Sequence, residues 1–165
     1  MAEVKILNNL VIRKATISDL EDILRLNFEL FKHVYKKFDK TLNLNWTYGK
    51  MGKKYFKNTI VDEKYGFAEV IEYEKKIIGY LCGGIKKQLP WRVEVKYAEL
   101  ENMLIDEDFR DKGLGNRLTK DFINWCKKNG VNYVSVIADA RNIGAVSFYK
   151  KVGFKDYDLI LQMKL

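Results

Sequence analysis

The sequence from residue 100 to residue 115 reads LENMLIDEDFRDKGLG, an apolar stretch followed by an acidic turn and a glycine-containing loop. The apolar part, Met103 to Ile105, is typical of a strand buried on both faces, and an amphipathic helical pattern begins near Leu114. A glycine-bearing turn between a strand and a helix presents unpaired backbone N–H groups at the positive end of the helix dipole. This stretch therefore predicts an anion site, and phosphate is the usual occupant.

Two glycines and two basic residues define the loop of this predicted site. Gly113 and Gly115 allow a phosphate to approach the backbone, or allow a positive φ, while Arg110 and Lys112 add positive charge beside it. Glycine-containing turns between strands and helices are common, so the rest of the sequence decides what this one binds.

Length and composition predict one domain over residues 1–165, because 47% of the chain is hydrophobic and can form a core. No run approaches the roughly 18 consecutive apolar residues of a membrane span. A single histidine and two widely separated cysteines make a metal site unexpected. We expect a cytoplasmic protein. We also expect its two thiols to be free and buried, because disulfides are rare in reducing compartments.

The chain is basic, and its charge is uneven. The net charge of +8 favours anionic partners such as nucleotide cofactors or nucleic acid. Lys50, Lys53, Lys54 and Lys57 share one helical face and are interleaved with aromatic residues, as in a nucleic-acid or ribosome-surface binder. A solvated lysine face over an aromatic packing face gives the same pattern more often, so nucleic acid is not the partner we expect.

Hydrophobic periodicity predicts the order β-α-α-β-β-β-α-β-α-β, an α/β (α+β) fold with about four helices packed on a mixed sheet of about six to seven strands. One helix should run from Leu114 to Lys128 and end at Asn129-Gly130. Another should run from Asn142 to Val152. The last residues, Phe154 to Lys164, should return as one or two final strands.

Two carboxylates lie on the strand that precedes the loop. Glu99 and Glu101 are two residues apart, so both project to one face of a regular strand. A carboxylate near the middle of a sheet is costly without partners. Either both lie in a solvated part of the strand or pair with lysines, or one of them is a general base.

Asn142 and Tyr149 are the candidates on the last predicted helix. Asn142 follows a strand and should cap the helix, and Tyr149 lies seven residues later, on roughly the same side as the helix start. A phenol with a pKa of about 10 can donate a proton to a departing thiolate. A packed core tyrosine is the more common interpretation of such a residue taken alone.

Together these segments resemble the GCN5-related N-acetyltransferase (GNAT) superfamily. The resemblance rests on the acidic-apolar strand from Leu100 to Ile105, on Arg110-x-x-Gly113-x-Gly115 opening a helix, and on Asn142, Ser147-Phe148-Tyr149 and Gly153-Phe154 further along. It covers about residues 100–155 and implies the GNAT fold, with strands splayed at an acetyl-CoA site. Residues 16–65, where the family builds its acceptor site, carry no recognisable motif.

The resemblance also implies roles for individual residues. Glu101, with Glu99 as its rival, would be the base, and Tyr149 would be the acid that protonates the thiolate. Strand backbone would pair with the pantetheine arm, loop amides would hold the pyrophosphate, and Asn142 would lie near the thioester. The implied cofactor-binding residues are Met103, Leu104, Ile105, Arg110, Asp111, Lys112, Gly113, Leu114, Gly115, Asn116, Asn142, Ser147 and Tyr149.

The activity that the resemblance implies is acetyl transfer from acetyl-CoA to a primary amine, by direct attack in a ternary complex and without a metal. The acceptor would be a small amine or polyamine, or a protein N-terminus or lysine, and the protein would act as a monomer or homodimer. Two alternatives stay open: a catalytically silent acyl-CoA-binding module, and a nucleic-acid or ribosome-surface binder acting through the Lys50–Lys57 face.

Overall fold

The computed structural model describes residues 9–165. A single sheet contains five strands in the order β1-β2-β3-β4-β5, which are Leu10–Lys14, Gly66–Tyr73, Lys76–Ile85, Tyr97–Ile105 and Tyr133–Val136. The first four strands pair antiparallel, and β5 pairs parallel with β4. The helices are α1 (Leu20–Lys37), α2 (Lys50–Val61), α3 (Leu114–Lys128) and α4 (Ile143–Val152). Within residues 9–165, no helix has the length and apolar character needed to cross a membrane.

Helices cover both faces of the sheet, and each face has its own core. Helices α1 and α2 pack on one face, where Phe56 and Tyr80 are fully buried, and α3 packs on the other, where Leu100 and Phe122 are buried. Each fully buried large apolar side chain contributes about 1.5–3 kcal/mol. The sheet is therefore held from both sides.

The α/β fold predicted from the sequence is confirmed, with nearly the predicted helix bounds. Helix α3 covers Leu114–Lys128 as expected, and Gly130 follows it with a φ of 68°. Helix α4 begins one residue after Asn142, whose side chain accepts a 3.2 Å hydrogen bond from the N–H of Ala145. Helix α2 begins at Lys50, after turns that include Trp46.

Over residues 9–165 the sheet has five strands rather than six or seven, so the predicted final strands over residues 154–164 are wrong. The sequence there alternates as in a strand, but the segment pairs with no other strand in the described part of the chain. Its large apolar side chains stay in solvent; Tyr157, Leu159, Ile160, Leu161 and Met163 are each at least 75% exposed. A strand requires a hydrogen-bonded neighbour as well as a pattern.

A β-bulge in β4 sets the directions of its polar side chains. The register between β3 and β4 breaks after Cys82, which leaves Glu101 as the extra residue. In a regular strand Glu101 and Asn102 would face opposite sides. Here both reach the hydroxyl of Tyr55 on α2. The bulge therefore places two consecutive polar groups on the face covered by α1 and α2.

An ion pair closes the connection between β1 and α1. Asp19 accepts a 2.7 Å hydrogen bond from the backbone N–H of Thr16, and Arg13 donates two hydrogen bonds of 2.8 Å to the same carboxylate. Asp19 is only 5% exposed. The hydrogen bonds from Arg13, with those from Thr16, outweigh the effect of burial and lower the pKa of Asp19 to about 2.

Replacing Asp19 by Asn should lower the free energy of unfolding by about 2 kcal/mol at neutral pH. A depressed carboxyl pKa stabilises the fold above the unfolded-state pKa of about 4, and this contribution is lost as the pH falls toward 2. The difference between variant and wild type should therefore shrink in acid, as measured by denaturant unfolding across a pH series. Glu29→Gln is the control, because Glu29 is 52% exposed and pairs with Lys32; we expect a change within about 0.5 kcal/mol. A loss that is constant with pH would exclude the ion pair as its cause.

Candidate active site

The loop between β4 and α3 has the geometry predicted for an anion site. Gly113 lies at the N-cap of α3 with a φ of 76°, a left-handed conformation that glycine adopts without strain. The first N–H groups of α3 have no acceptor within the helix, and the sequence of the first turn, Leu114 to Arg117, contains no carboxylate. The positive end of the α3 dipole therefore faces no fixed negative charge on its own turn.

Backbone carbonyls hold the two basic side chains of the loop. The Nε of Arg110 donates to the carbonyl of Ile105 at 2.9 Å, and the Nζ of Lys112 donates to the carbonyl of Asp108 at 2.9 Å. Asp111 has a φ of 60°, so the chain turns sharply just before α3. Both cations thus lie beside the helix start with defined positions.

Strand β4 continues beyond the point where β5 leaves it. Pairing with β5 ends at Leu100 opposite Val136, whereas pairing with β3 continues to Ile105 opposite Gly79. On the β5 side, the β4 backbone after Leu100 has no partner strand among residues 9–165. This free edge agrees with the splayed strands that the family resemblance implies, and an extended ligand could pair there like an added strand.

Both candidate carboxylates contact one lysine. Lys86, the residue after β3, places its Nζ 2.6 Å from a carboxylate oxygen of Glu101 and 3.7 Å from one of Glu99. The other oxygen of Glu101 accepts a 2.5 Å hydrogen bond from the hydroxyl of Tyr55. Burial lowers the pKa of Lys86, but the hydrogen bond and the charge of Glu101 outweigh it and raise that pKa. Both oxygens of Glu101 are therefore engaged.

A chain of hydrogen bonds continues from Tyr55 into the core. Asn102 donates to the Tyr55 hydroxyl at 3.2 Å, and Asn27 of α1 donates to Asn102 at 3.2 Å. Asn27 is held by two buried partners, Tyr80 at 3.0 Å and Thr47 at 2.7 Å. Burial is the main cause that raises the pKa of Tyr55, so its hydroxyl keeps its proton. A satisfied buried network of this kind restricts the positions of its members.

Sequence analysis missed Tyr55 and Lys86 as partners of the carboxylates, and Asn102 as a partner of Tyr55. The network joins residues from α1, α2, β3 and β4, and such contacts leave no mark on local spacing. One signal was present: Asn27 occupies a position on the apolar stripe of α1, and a buried polar group at such a position requires a hydrogen-bonding partner.

Tyr149 lies on α4, packed against the α3-side core. Its ring centroid is 5.1 Å from that of Phe148 and 5.7 Å from that of Phe154. Burial raises the pKa of Tyr149 to about 12. The phenol therefore stays protonated at neutral pH and can donate a hydrogen bond, although it releases its proton less readily than an exposed tyrosine.

The other predicted residues divide between core and surface. Met103 and Ile105 pack with α3, whereas Leu104 packs with α1 and α2. A Cβ built on Gly115 would lie 3.3 Å from the ring of Phe148, so the loop and α4 are in close contact. Two predicted positions, Asn116 and Ser147, are exposed. The structure thus brings the loop, the end of β4 and α4 together.

The lysine face of α2 does not form an aromatic platform. Lys50, Lys53, Lys54 and Lys57 are exposed, but Phe56 between them is buried and Tyr55 bonds to Glu101. Nucleic-acid binding through such a face needs aromatic rings free to stack on bases. This arrangement favours the solvated lysine face.

A cavity of about 280 Å³ opens beside Glu101. It lies between the end of α2, the start of β2, the end of β3 and the middle of β4, and its polar lining includes Asn58, Asp62, Lys86 and Glu101. The carboxylate therefore faces a space that a small group can enter from solvent.

A candidate anion site at a helix start, a free strand edge and a carboxylate beside a cavity match the arrangement expected of a CoA-dependent acetyltransferase. The model of the Acetyltransferase (GNAT) family matches residues 20–154, and the chain belongs to this family. It is 32% identical over 152 residues to the uncharacterized N-acetyltransferase MJ1207 of Methanocaldococcus jannaschii. That match covers 90% of this chain but only 62% of the relative, so the chain spans less than two-thirds of the relative's length.

Solved structures share the fold. A mutant of the BH1408 protein from Bacillus halodurans superimposes with a TM-score of 0.76 at 22% identity, over 94% of this chain and 99% of the other. The aminoglycoside N-acetyltransferase AAC(6')-Iy, solved in complex with CoA, gives 0.69 at 13% identity over 94% of each chain. These likenesses confirm the predicted GNAT fold.

Replacing Gly113 by Val should abolish CoA binding while the protein stays folded. A Cβ there meets nothing within 4 Å, but a φ of 76° strains a branched residue, and distortion of the loop would displace the N–H groups of α3. Gly130→Val is a matched control, because Gly130 has a φ of 68°, equally open surroundings, and lies at the other end of α3. Both variants should lose about 1–2 kcal/mol of stability. Calorimetric titration with CoA measures the affinity, and thermal unfolding measures the stability of each variant. An equal loss of CoA affinity in both variants would exclude the loop as the CoA-binding element.

Proposed function

We propose that the chain catalyses acetyl transfer from acetyl-CoA to a primary amine by direct attack. One observation carries the proposal: Glu101 lies at the bulge, one residue beyond the last pairing between β4 and β5, and beside an open cavity. A donor on the free β4 edge and an acceptor in the cavity would thus meet at this carboxylate. Membership of the GNAT family supports the type of reaction, and the CoA complex of AAC(6')-Iy supports the choice of donor.

The residues present fit acetyl-CoA. The N–H groups of residues 110–116 would hold its pyrophosphate, as helix starts commonly do. The free edge from Glu101 to Ile105, roughly 13 Å long by strand geometry, would pair with the pantetheine arm. The Oδ1 of Asn142 is engaged at the helix cap, which leaves its amide nitrogen as the group to contact the donor. Bound acetyl-CoA supplies a thioester carbonyl as the electrophile.

Glu101 would take the proton from the acceptor. A primary ammonium has a pKa near 10.4, so little free amine exists at neutral pH, and a base beside the nucleophile increases its supply. Tyr55 would keep its hydrogen bond to one oxygen of Glu101, while the oxygen that now binds Lys86 exchanges to the acceptor. Glu99, 3.7 Å from the same lysine, remains the rival base.

Tyr149 would stabilise the departing thiolate. Its pKa of about 12 lies above the value of about 8.5 for a thiol, so complete proton transfer is less favourable than from an ordinary phenol. Hydrogen bonds to charged groups contribute about 1.5–3 kcal/mol, and a phenol beside the sulfur would act mainly in this way.

The cysteines are unsuited to covalent catalysis. Burial raises the pKa of Cys126 to about 12 and raises that of Cys82 as well. A thiol that stays protonated is a poor nucleophile, so direct attack by the amine is the better route. The acceptor class remains a small amine or polyamine, or a protein N-terminus or lysine that enters the cavity. A cytoplasmic location and a monomeric or homodimeric state also remain predictions.

Incubation with acetyl-CoA and a panel of primary amines should release free CoA thiol at a rate that depends on the acceptor. Glu101→Gln should lower this rate about 100-fold and flatten its pH dependence, because the base is lost. Glu99→Gln is the matched control on the same strand and face, and it should change the rate far less.

Two results would contradict this assignment. If only Glu99→Gln lowers the rate and flattens the profile, Glu99 is the base. If the protein binds CoA but releases no thiol with any amine, it is the silent acyl-CoA-binding module.

Replacing Tyr149 by Phe should lower kcat by about 10- to 100-fold, as expected for loss of a hydrogen bond to a charged group, with little change in the affinity for acetyl-CoA. Because the pKa of Tyr149 is about 12, the wild-type rate should not fall near pH 10, where an ordinary tyrosine ionises. Steady-state kinetics across pH measure both effects. Tyr133→Phe is the control, because Tyr133 is 60% exposed on β5. An unchanged kcat would remove Tyr149 from the mechanism.

A further inference from the structure

Lys86 carries a primary ammonium to the carboxylate proposed as the base. Its Nζ lies 2.6 Å from Glu101, closer than to Glu99. The side chain is 43% exposed and lines the cavity beside Glu101. The chain therefore presents an amine of its own where an external acceptor would have to bind.

The backbone explains why Lys86 lies there. Its N–H donates to the carbonyl of Tyr97 at 2.9 Å, which extends the β3–β4 ladder by one residue. Gly84 pairs with Glu99, and side chains two residues apart on a strand share a face. Lys86 therefore shares a face with Glu99, while its flexible four-carbon stem leaves the Nζ free to move.

We propose that Lys86 is a site of self-modification, at which the Nζ receives an acetyl group when no external acceptor is present. The inference rests on the proposed function. The lysine ammonium gives one proton to Glu101, and the neutral Nζ attacks the thioester carbonyl. The N–C bond forms as the C–S bond breaks, and the nitrogen then gives its second proton to solvent. The CoA thiolate leaves and takes a proton from Tyr149, the donor proposed above, which regains one from solvent.

Competition with external amines follows from this arrangement. An amine that binds Glu101 displaces Lys86 from the base and protects it from acetylation. Conversely, acetylation removes the charge of Lys86 and ends its ion pairs with Glu101 and Glu99. The modification is therefore a side reaction of an idle active site, slowed when an acceptor is present.

The experiment uses the full chain with acetyl-CoA alone, followed by peptide mass spectrometry. One acetyl group should appear on Lys86, at a rate that is independent of protein concentration because the reaction is intramolecular. Lys87 is the internal reference, since it is the adjacent exposed lysine and lines the same cavity. Adding an amine that supports thiol release should slow the reaction at Lys86.

Variants separate enzymatic from chemical acetylation. Lys86→Arg keeps the positive charge but removes the reactive amine, so the modification should disappear. Glu101→Gln should slow acetylation of Lys86 about 100-fold. Glu94→Gln, in the exposed connection after β3, should leave the rate unchanged.

The outcomes distinguish this inference from the proposed function. Equal acetylation of Lys86 and Lys87, or a rate proportional to protein concentration, would overturn it. An unmodified Lys86 in a protein that releases thiol with external amines would overturn the inference and leave the function intact. No thiol release with any amine and no acetyl-lysine would overturn both.

Discussion

The extra residue in β4 is the constraint on which the site depends. Before the bulge, Ala98 and Leu100 face the α3 core, and after it Met103 and Ile105 return to the same core. The strand thereby stays apolar toward α3 while Glu101 and its successor both face α2. Bulges also bend a strand and increase its twist, and β5 leaves β4 at this point. One inserted residue thus accounts for the carboxylate and for the gap beside it.

Helix ends could be predicted from the sequence because their chemistry is local. Gly113 and Gly130 bracket α3, and Asn142 caps the start of α4, so these residues defined three of the four ends of two helices. The same local reasoning failed for residues 154–164, where it predicted strands that do not form. Alternation of apolar and polar residues is a property of one segment, whereas a strand also requires a second segment to pair with. The conformation of the loop before α3 could be predicted for the same local reason as the helix ends.

The candidate site was only partly visible in the sequence. Glu101 and Tyr149 could be chosen by resemblance, but the contacts of Glu101 come from elements far apart in the chain. Tyr55 lies 46 residues before it, and Asn27 lies 75 residues before Asn102. Residues 16–65 carry no motif, yet they supply the groups that orient the carboxylate. These residues come into contact only in the folded chain, so the spacing of residues in the sequence does not predict the hydrogen bonds between them.

Gly83, at the register break opposite the bulge, limits how this chain can vary. A Cβ there would lie 2.5 Å from the carbonyl oxygen of Glu99 and 3.0 Å from the ring of Phe122, so the strand cannot acquire a side chain without moving the sheet. Laboratory evolution toward a new acceptor would find little freedom at this position. Substitutions should be better tolerated in the exposed connections that border the cavity, such as at Lys87, which is itself exposed. The sheet thus fixes the geometry of the proposed site, whereas the exposed connections beside the cavity can accept substitutions.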